Sequence, residues 1–341
     1  MKKRDEAFSI EIRDPDSIDK SPIVKTENIN DSLLLIFKEK SIYKLITADS
    51  TDPERTYPDT GHTYEKISNL GASSPYVARI FIQFKGIIDQ TFQEGSLKKR
   101  LIQEIWNLNE QLLSCAQFEL NITDQLSDII TKCDALIESN KNTLNIPPLP
   151  KFKNLENDAK SFLLAGKQFL IDCFKIISTL TDVPISPREE AHFEKHIKWL
   201  DQNRPSLHEL VLALNNDLPW IRRLSECRNA IEHPGPGQLL SIQNTKLHPG
   251  NKFSLPIWSY DLTKKLNLQE LSVPIHLEME IYLNNMLHFL EEILLFCISD
   301  KISSNKIYSI YQHDEKSITQ ACPVRYYAGV SADFHSKIKK P

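Results

Sequence analysis

From Tyr76 to about Asn140, apolar residues recur at three- and four-residue steps, and that spacing commits much of the chain to helix. Glycine usage points the same way. The 341 residues hold 9 glycines, about a third of average usage, so an all-β sandwich or a phosphate-cradling α/β enzyme lacks its turns. No Gly-rich phosphate loop or dinucleotide fingerprint occurs. Punctuation falls to the 19 prolines, which cluster in a few places.

Read from its N-terminus, the chain is expected to be extended or poorly ordered over residues 1–30. A helix is expected over Leu33–Ile46, capped by Asp31 or Ser32, with Leu34, Phe37, Ile42 and Leu45 on its apolar face. Residues 50–74 read as a polar loop with a helical turn at most, Asp52-Pro53-Glu54-Arg55 being a capped turn without chemistry. Residues 76–92 and 97–120 and the run near Thr123–Asn140 read as successive helices. Adjacent prolines at Pro147-Pro148, with Pro150, mark a boundary, since a proline pair stops a helix.

Beyond that boundary, Asn157–Leu180 is amphipathic (Phe162, Phe169, Cys173, Phe174, Ile177). Ser186-Pro187-Arg188-Glu189 and Ser206-Leu207-His208-Glu209 read as capping boxes, each opening a helix. The second of these helices is expected to end near Leu214. Another helix is expected from Asp217 through Trp220, Leu224 and Cys227, stopping at Pro234-Gly235-Pro236-Gly237. A β-hairpin is expected near 239–261 around His248-Pro249-Gly250-Asn251, and Pro274 opens a helix of about 25 residues. The fold class is therefore mainly α: an N-terminal helical domain over 31–146, a helical bundle with an inserted β-hairpin over 151–300, and a polar tail over 301–341.

A formal charge of −4 excludes a global basic field, so any nucleic-acid contact has to be local. The six cysteines are far apart and form no C-x-x-C pair, which reads as buried thiols in a reducing compartment, without zinc site or disulfide framework. The N-terminus lacks a signal-peptide core, and Glu291 and Glu292 interrupt the most apolar stretch. A cytoplasmic protein without membrane contact is the expectation.

The segment Arg228-Asn229-Ala230-Ile231-Glu232-His233 carries the chemistry. On a helix advancing about 100° per residue, Glu232 lies about 40° from Arg228, Asn229 about 100° and His233 about 140°. Ser225 and Arg222 fall in the same arc. Trp220, Leu224, Cys227, Ala230 and Ile231 fill the opposite one, so the polar side chains gather on one face of a helix end.

This segment resembles the R-x(4–6)-H signature of HEPN domains, which are helical bundles carrying that motif at a helix end, with a polar residue commonly following the arginine. The resemblance covers about residues 155–300 and places no family on residues 1–145. It implies a HEPN-like bundle and metal-independent RNA cleavage without a cofactor or bound metal. In it His233 acts as general base or acid, Arg228 stabilises charge on the phosphate, Asn229 orients that phosphate, and Glu232 pairs with Arg228 or tunes His233. It also implies a homodimer with two helix ends facing each other, an RNA substrate, and a toxin or phage-defence setting in which a partner protein is not identified by these residues. A non-catalytic dimerisation or nucleotide- or protein-binding module carries the same motif. Some HEPN toxins have a tyrosine two residues after the histidine; Gly235 stands there in this chain. The bare residues admit a simpler reading as well: an exposed Arg228–Glu232 ion pair and an imidazole at a helix C-terminus.

Weaker signals complete the reading. His192 and His196 are spaced to share a metal, but His192-Phe193-Glu194-Lys195-His196 is not H-E-x-x-H, and a solvated helix face is expected. Lys160 and Lys167 would touch RNA if their helix lined a cleft, and otherwise are surface lysines whose stems lie along apolar surface.

Overall fold

The computed structural model describes residues 20–29, 32–143, 145–184, 193–304 and 307–332. It is 56% helical, with small antiparallel sheets beside the helices. The chain forms two compact units: one from Met1–Leu113, Thr179–Thr181 and Leu294–Pro341, the other from Ser114–Ser178 and Asp182–Ile293.

The first unit is not all helical. Strands β1 (Ile23–Ile29), β2 (Ser32–Phe37), β3 (Ile42–Ile46) and β4 (Thr63–Ser68) form one antiparallel sheet in that order. The helix expected over Leu33–Ile46 is instead the β2–β3 hairpin, pairing Leu33 with Leu45 and Ile36 with Ile42. Phe37 N–H closes its turn on the Ser41 carbonyl at 3.0 Å. The misreading has a clear cause. A strand inside a sheet and buried on both faces is a continuous apolar run, which periodicity cannot separate from a short helix; Leu34, Leu35 and Ile36 are all buried.

Two further expectations are corrected in this unit. The segment 50–74, expected as a loop with a helical turn at most, holds β4; the short helix α1 (Ala48–Thr51) runs into its start, with Thr47 Oγ1 accepting the Ser50 N–H at 3.2 Å. The tail forms β10 (Tyr308–Gln312) and β11 (Tyr326–Val330), an antiparallel pair. Gln83 Oε1 accepts the N–H groups of Arg325 and Tyr326 at 2.7 and 3.0 Å, which fixes the start of β11. Gln83 opens α2 (Gln83–Thr91) after a π-helical stretch over Tyr76–Ile82. The runs expected as two helices are one, α3 (Ser96–Ser139), whose first residues belong here.

The second unit holds the rest of α3, then α4 (Leu155–Thr181) up to Ser178, α5 (Phe193–Asn203) and α6 (His208–Glu232). The proline-rich run between α3 and α4 lies inside this unit, tied down by Thr245 Oγ1 donating to the Pro150 carbonyl and by Asn244 bonding Phe152 in both directions at 3.0 Å. The helix start at Ser186–Glu189 lies outside the described residues. The break expected between Leu214 and Asp217 is absent. α6 runs through Pro219, and buried Trp220, Ile221 and Leu224 carry it past the missing N–H. Its N-cap is Leu207, without a side-chain cap, so the box at Ser206–Glu209 does not form.

Strands β5 (Leu239–Gln243), β8 (Ile257–Asp261) and β9 (Gln269–Pro274) form a three-stranded sheet, and β6 (Lys246–His248) pairs with β7 (Lys252–Ser254) around the turn at Gly250. A short helix α7 (Thr263–Leu266) precedes β9, and α8 (Ile275–Ser303) follows it. Phe162, Phe169, Phe174, Trp220, Trp258, Tyr282 and Phe289 make the aromatic core. Cys115, Cys133, Cys173, Cys227 and Cys297 are free and buried. By length and composition α8 could cross a membrane, but 61% of its most apolar stretch is buried within the protein, as in the core helix of a soluble one.

Candidate functional site

The six-residue motif sits at the C-terminal end of α6. Ile221, Leu224, Cys227 and Ala230 are buried and hold the helix down, while Arg228, Asn229 and Ile231 are partly exposed. Ser225, expected on the polar face, is buried.

The end of the helix is built by the turn that follows. His233 donates its N–H to the Asn229 carbonyl at 2.8 Å and caps the helix. Gln238, itself buried, donates its side-chain amide to the carbonyls of Asn229 and His233 at 3.2 and 3.0 Å, a second donor for the first and a partner for the second, which the helix end leaves open. Gly237 makes that return possible. Its φ is +68°, and a Cβ there would lie 2.8 Å from Thr263 Oγ1 and 2.9 Å from Lys264 N. The sequence alone does not single out Gln238; its place directly after the Pro234–Gly237 stop, five residues past His233, is the available signal. Replacing Gln238 with alanine takes the side-chain donor from the His233 carbonyl and leaves the Asn229 carbonyl with the His233 N–H alone, and is expected to lower stability by about 1 kcal/mol in urea unfolding.

The polar side chains converge on one carboxylate oxygen. Glu232 Oε2 lies 2.5 Å from Arg228 Nη1 and 3.9 Å from His233 Nε2. Arg228 also reaches Asn229 Oδ1 at 3.4 Å, and Asn229 Nδ2 donates to Glu226 Oε1 at 3.1 Å. His233 is the most open member, its side chain 74% exposed against 27% for Arg228. All four expected residues, Arg228, Asn229, Glu232 and His233, therefore meet at one helix tip. Arg222 does not join them and pairs with Glu194 at 2.7 Å.

Of the weaker candidates, Lys160 pairs with Glu156 at 2.6 Å. Lys167 lies within electrostatic reach of Arg228, Glu226 and Glu232; burial and the Arg228 charge hold its ammonium below the usual lysine range. His196 is buried against Phe174, ring centroids 5.6 Å apart, which corrects the expected solvated face, and His192 lies outside the described residues.

A second polar cluster was not foreseen. Glu278 on α8 is buried and accepts from Trp258 Nε1 and, at 3.3 Å, from the Tyr282 hydroxyl. Arg223 Nε donates to that hydroxyl at 3.0 Å and lies 3.3 Å from Glu278 Oε1. Burial pushes the Glu278 carboxyl up, against the pull of Arg223 and the hydrogen bonds. Two spacings hinted at it: Trp258 and Tyr260 on one strand face, and Glu278 four residues before Tyr282.

No family model matches the chain, and neither the curated proteins nor the solved structures contain a match.

Proposed function

We propose that the tip of α6 is the active site of a metal-independent endoribonuclease of HEPN type, set in a HEPN-like bundle and completed across a homodimer. The observation that carries this reading is the meeting of Arg228, Glu232 and an open His233 at a braced helix end. His233 takes the proton of a ribose 2′-hydroxyl. The 2′-oxygen bonds to phosphorus as the P–O5′ bond breaks, and the leaving oxygen takes a proton from the second copy's imidazole. Arg228 neutralises charge on the phosphate, where its always-charged fork suits two oxygens. Asn229 orients the phosphate. Glu232 holds Arg228 until substrate arrives.

One observation favours a non-catalytic binding module instead: Glu232 already occupies Arg228 Nη1 at 2.5 Å. Cleavage of single-stranded RNA in chelator decides between them. The wild type is expected to leave 2′,3′-cyclic phosphate ends, and both Arg228→Ala and His233→Ala to lose that product while remaining folded. Equal product from all three proteins would sink the nuclease reading.

A further inference from the structure

We propose that Lys167 on α4, with Arg228 and the Ser225 hydroxyl on α6, forms a subsite for a phosphodiester of single-stranded RNA. The inference rests on the reading of the α6 tip as an RNA-cleaving site and adds to it a residue outside the motif.

Packing sets the geometry. A Cβ on Gly166 would lie 3.2 Å from the Leu224 side chain, so α4 and α6 meet closely there. Lys167 follows Gly166 and Ser225 follows Leu224, which puts both beside the crossing. Arg228 stands one turn beyond Ser225, and long helical side chains lean toward the preceding turn. That lean directs the Arg228 stem toward Ser225, which is buried.

Three donors at this crossing lack acceptors. Ser225 Oγ and Arg228 Nε are buried with no hydrogen-bond partner. Lys167 is half-buried and makes no hydrogen bond or ion pair among the described residues. Two other lysines with little exposure are held differently: half-buried Lys85 by Glu27 and Asp89 at 2.6 and 2.5 Å, and buried Lys98 by Glu94 and Asp89 at 2.6 and 3.2 Å. Lys167 instead faces a second cation, with Glu226 and Glu232 as the carboxylates in range. A desolvated ammonium beside a guanidinium marks a place where an anion belongs. A phosphate there would accept from Nζ, from Nε once Arg228 leaves Glu232, and from the hydroxyl that Arg228 then uncovers.

The test is binding of a fluorescent, 2′-O-methylated single-stranded RNA, which cannot be cleaved, measured by anisotropy across a salt series. Lys167→Met keeps the apolar stem and removes the charge. It is expected to weaken binding about tenfold and to flatten the slope of log K against log salt by about 0.7. Lys167→Arg is expected to restore both, and Lys132→Met, which removes an exposed ammonium paired with Asp128 on α3, to bind as the wild type does. Unchanged affinity and slope in Lys167→Met would overturn the subsite, even if the wild type cleaves RNA. Loss of binding in Lys167→Met by a wild type that binds but never cleaves would uphold the subsite and remove the nuclease reading. Inorganic phosphate equimolar with the probe is expected to leave it bound; displacement would overturn the assignment to a chain phosphodiester.

Discussion

His233→Ala is expected to lower RNA cleavage by about 10²- to 10⁴-fold, the range of a lost general acid or base, with no measurable change in unfolding midpoint. The separation of the two effects follows from where the residue sits. Its side chain is 74% exposed and its nearest charged neighbour, Glu232 Oε2, is 3.9 Å away, so little packing or pairing is lost. The structural work of position 233 is done by the backbone N–H on the Asn229 carbonyl, which alanine retains. An exposed substitution of this kind stays within about 0.5 kcal/mol. Arg228→Lys is a different probe: it keeps the charge but loses the two-pronged donor, and is expected to lose activity while binding RNA in a still salt-dependent way. The measurement is single-turnover cleavage beside a urea melt of each variant. Full activity in His233→Ala would remove the imidazole from the chemistry.

The candidate site was legible because its information is local. Arg228, Asn229, Glu232 and His233 lie within two helical turns, so spacing alone places them on one tip, and the Pro234–Gly237 stop locates that tip. What was not legible depended on distant segments. Leu33–Phe37 is an apolar run of strand length as much as of helix length, and only pairing with β1 and β3 settles it. Tyr308–Gln312 and Tyr326–Val330 are rich in tyrosine, a strand-favouring residue, but their pairing spans a loop without a hairpin signature. Likewise Ser225 lies on the polar arc of α6 by its angle, yet it is buried.

The buried cluster of Arg223 and Glu278 yields the largest expected stability effect, and its size depends on pH. Removing one partner of a buried pair costs about 3–5 kcal/mol, but the two partners are not equivalent. Arg223 is 32% exposed and can turn its charge toward water, whereas the Glu278 side chain is 5% exposed and cannot. Arg223→Ala is therefore expected to cost about 3 kcal/mol near neutral pH, and Glu278→Gln less, since glutamine still offers an oxygen to Trp258 Nε1. The Glu278 carboxyl is already raised by burial, with Arg223 the leading opposing influence; without Arg223 it rises further. Between the unfolded carboxyl value and that raised native value, the native state holds a proton that the unfolded state has released, so stability falls as pH rises through the window. Below the window both states are protonated and the penalty disappears. Urea unfolding at pH 5 and pH 8 should show Arg223→Ala far closer to wild type at the lower pH. Adding Glu278→Gln should abolish that difference, because the carboxyl whose titration Arg223 governs is then gone. An equal loss at both pH values would mean that Arg223 stabilises α6 and α8 through its packing over the Tyr282 ring, 5.5 Å from the centroid, and not through the buried charge.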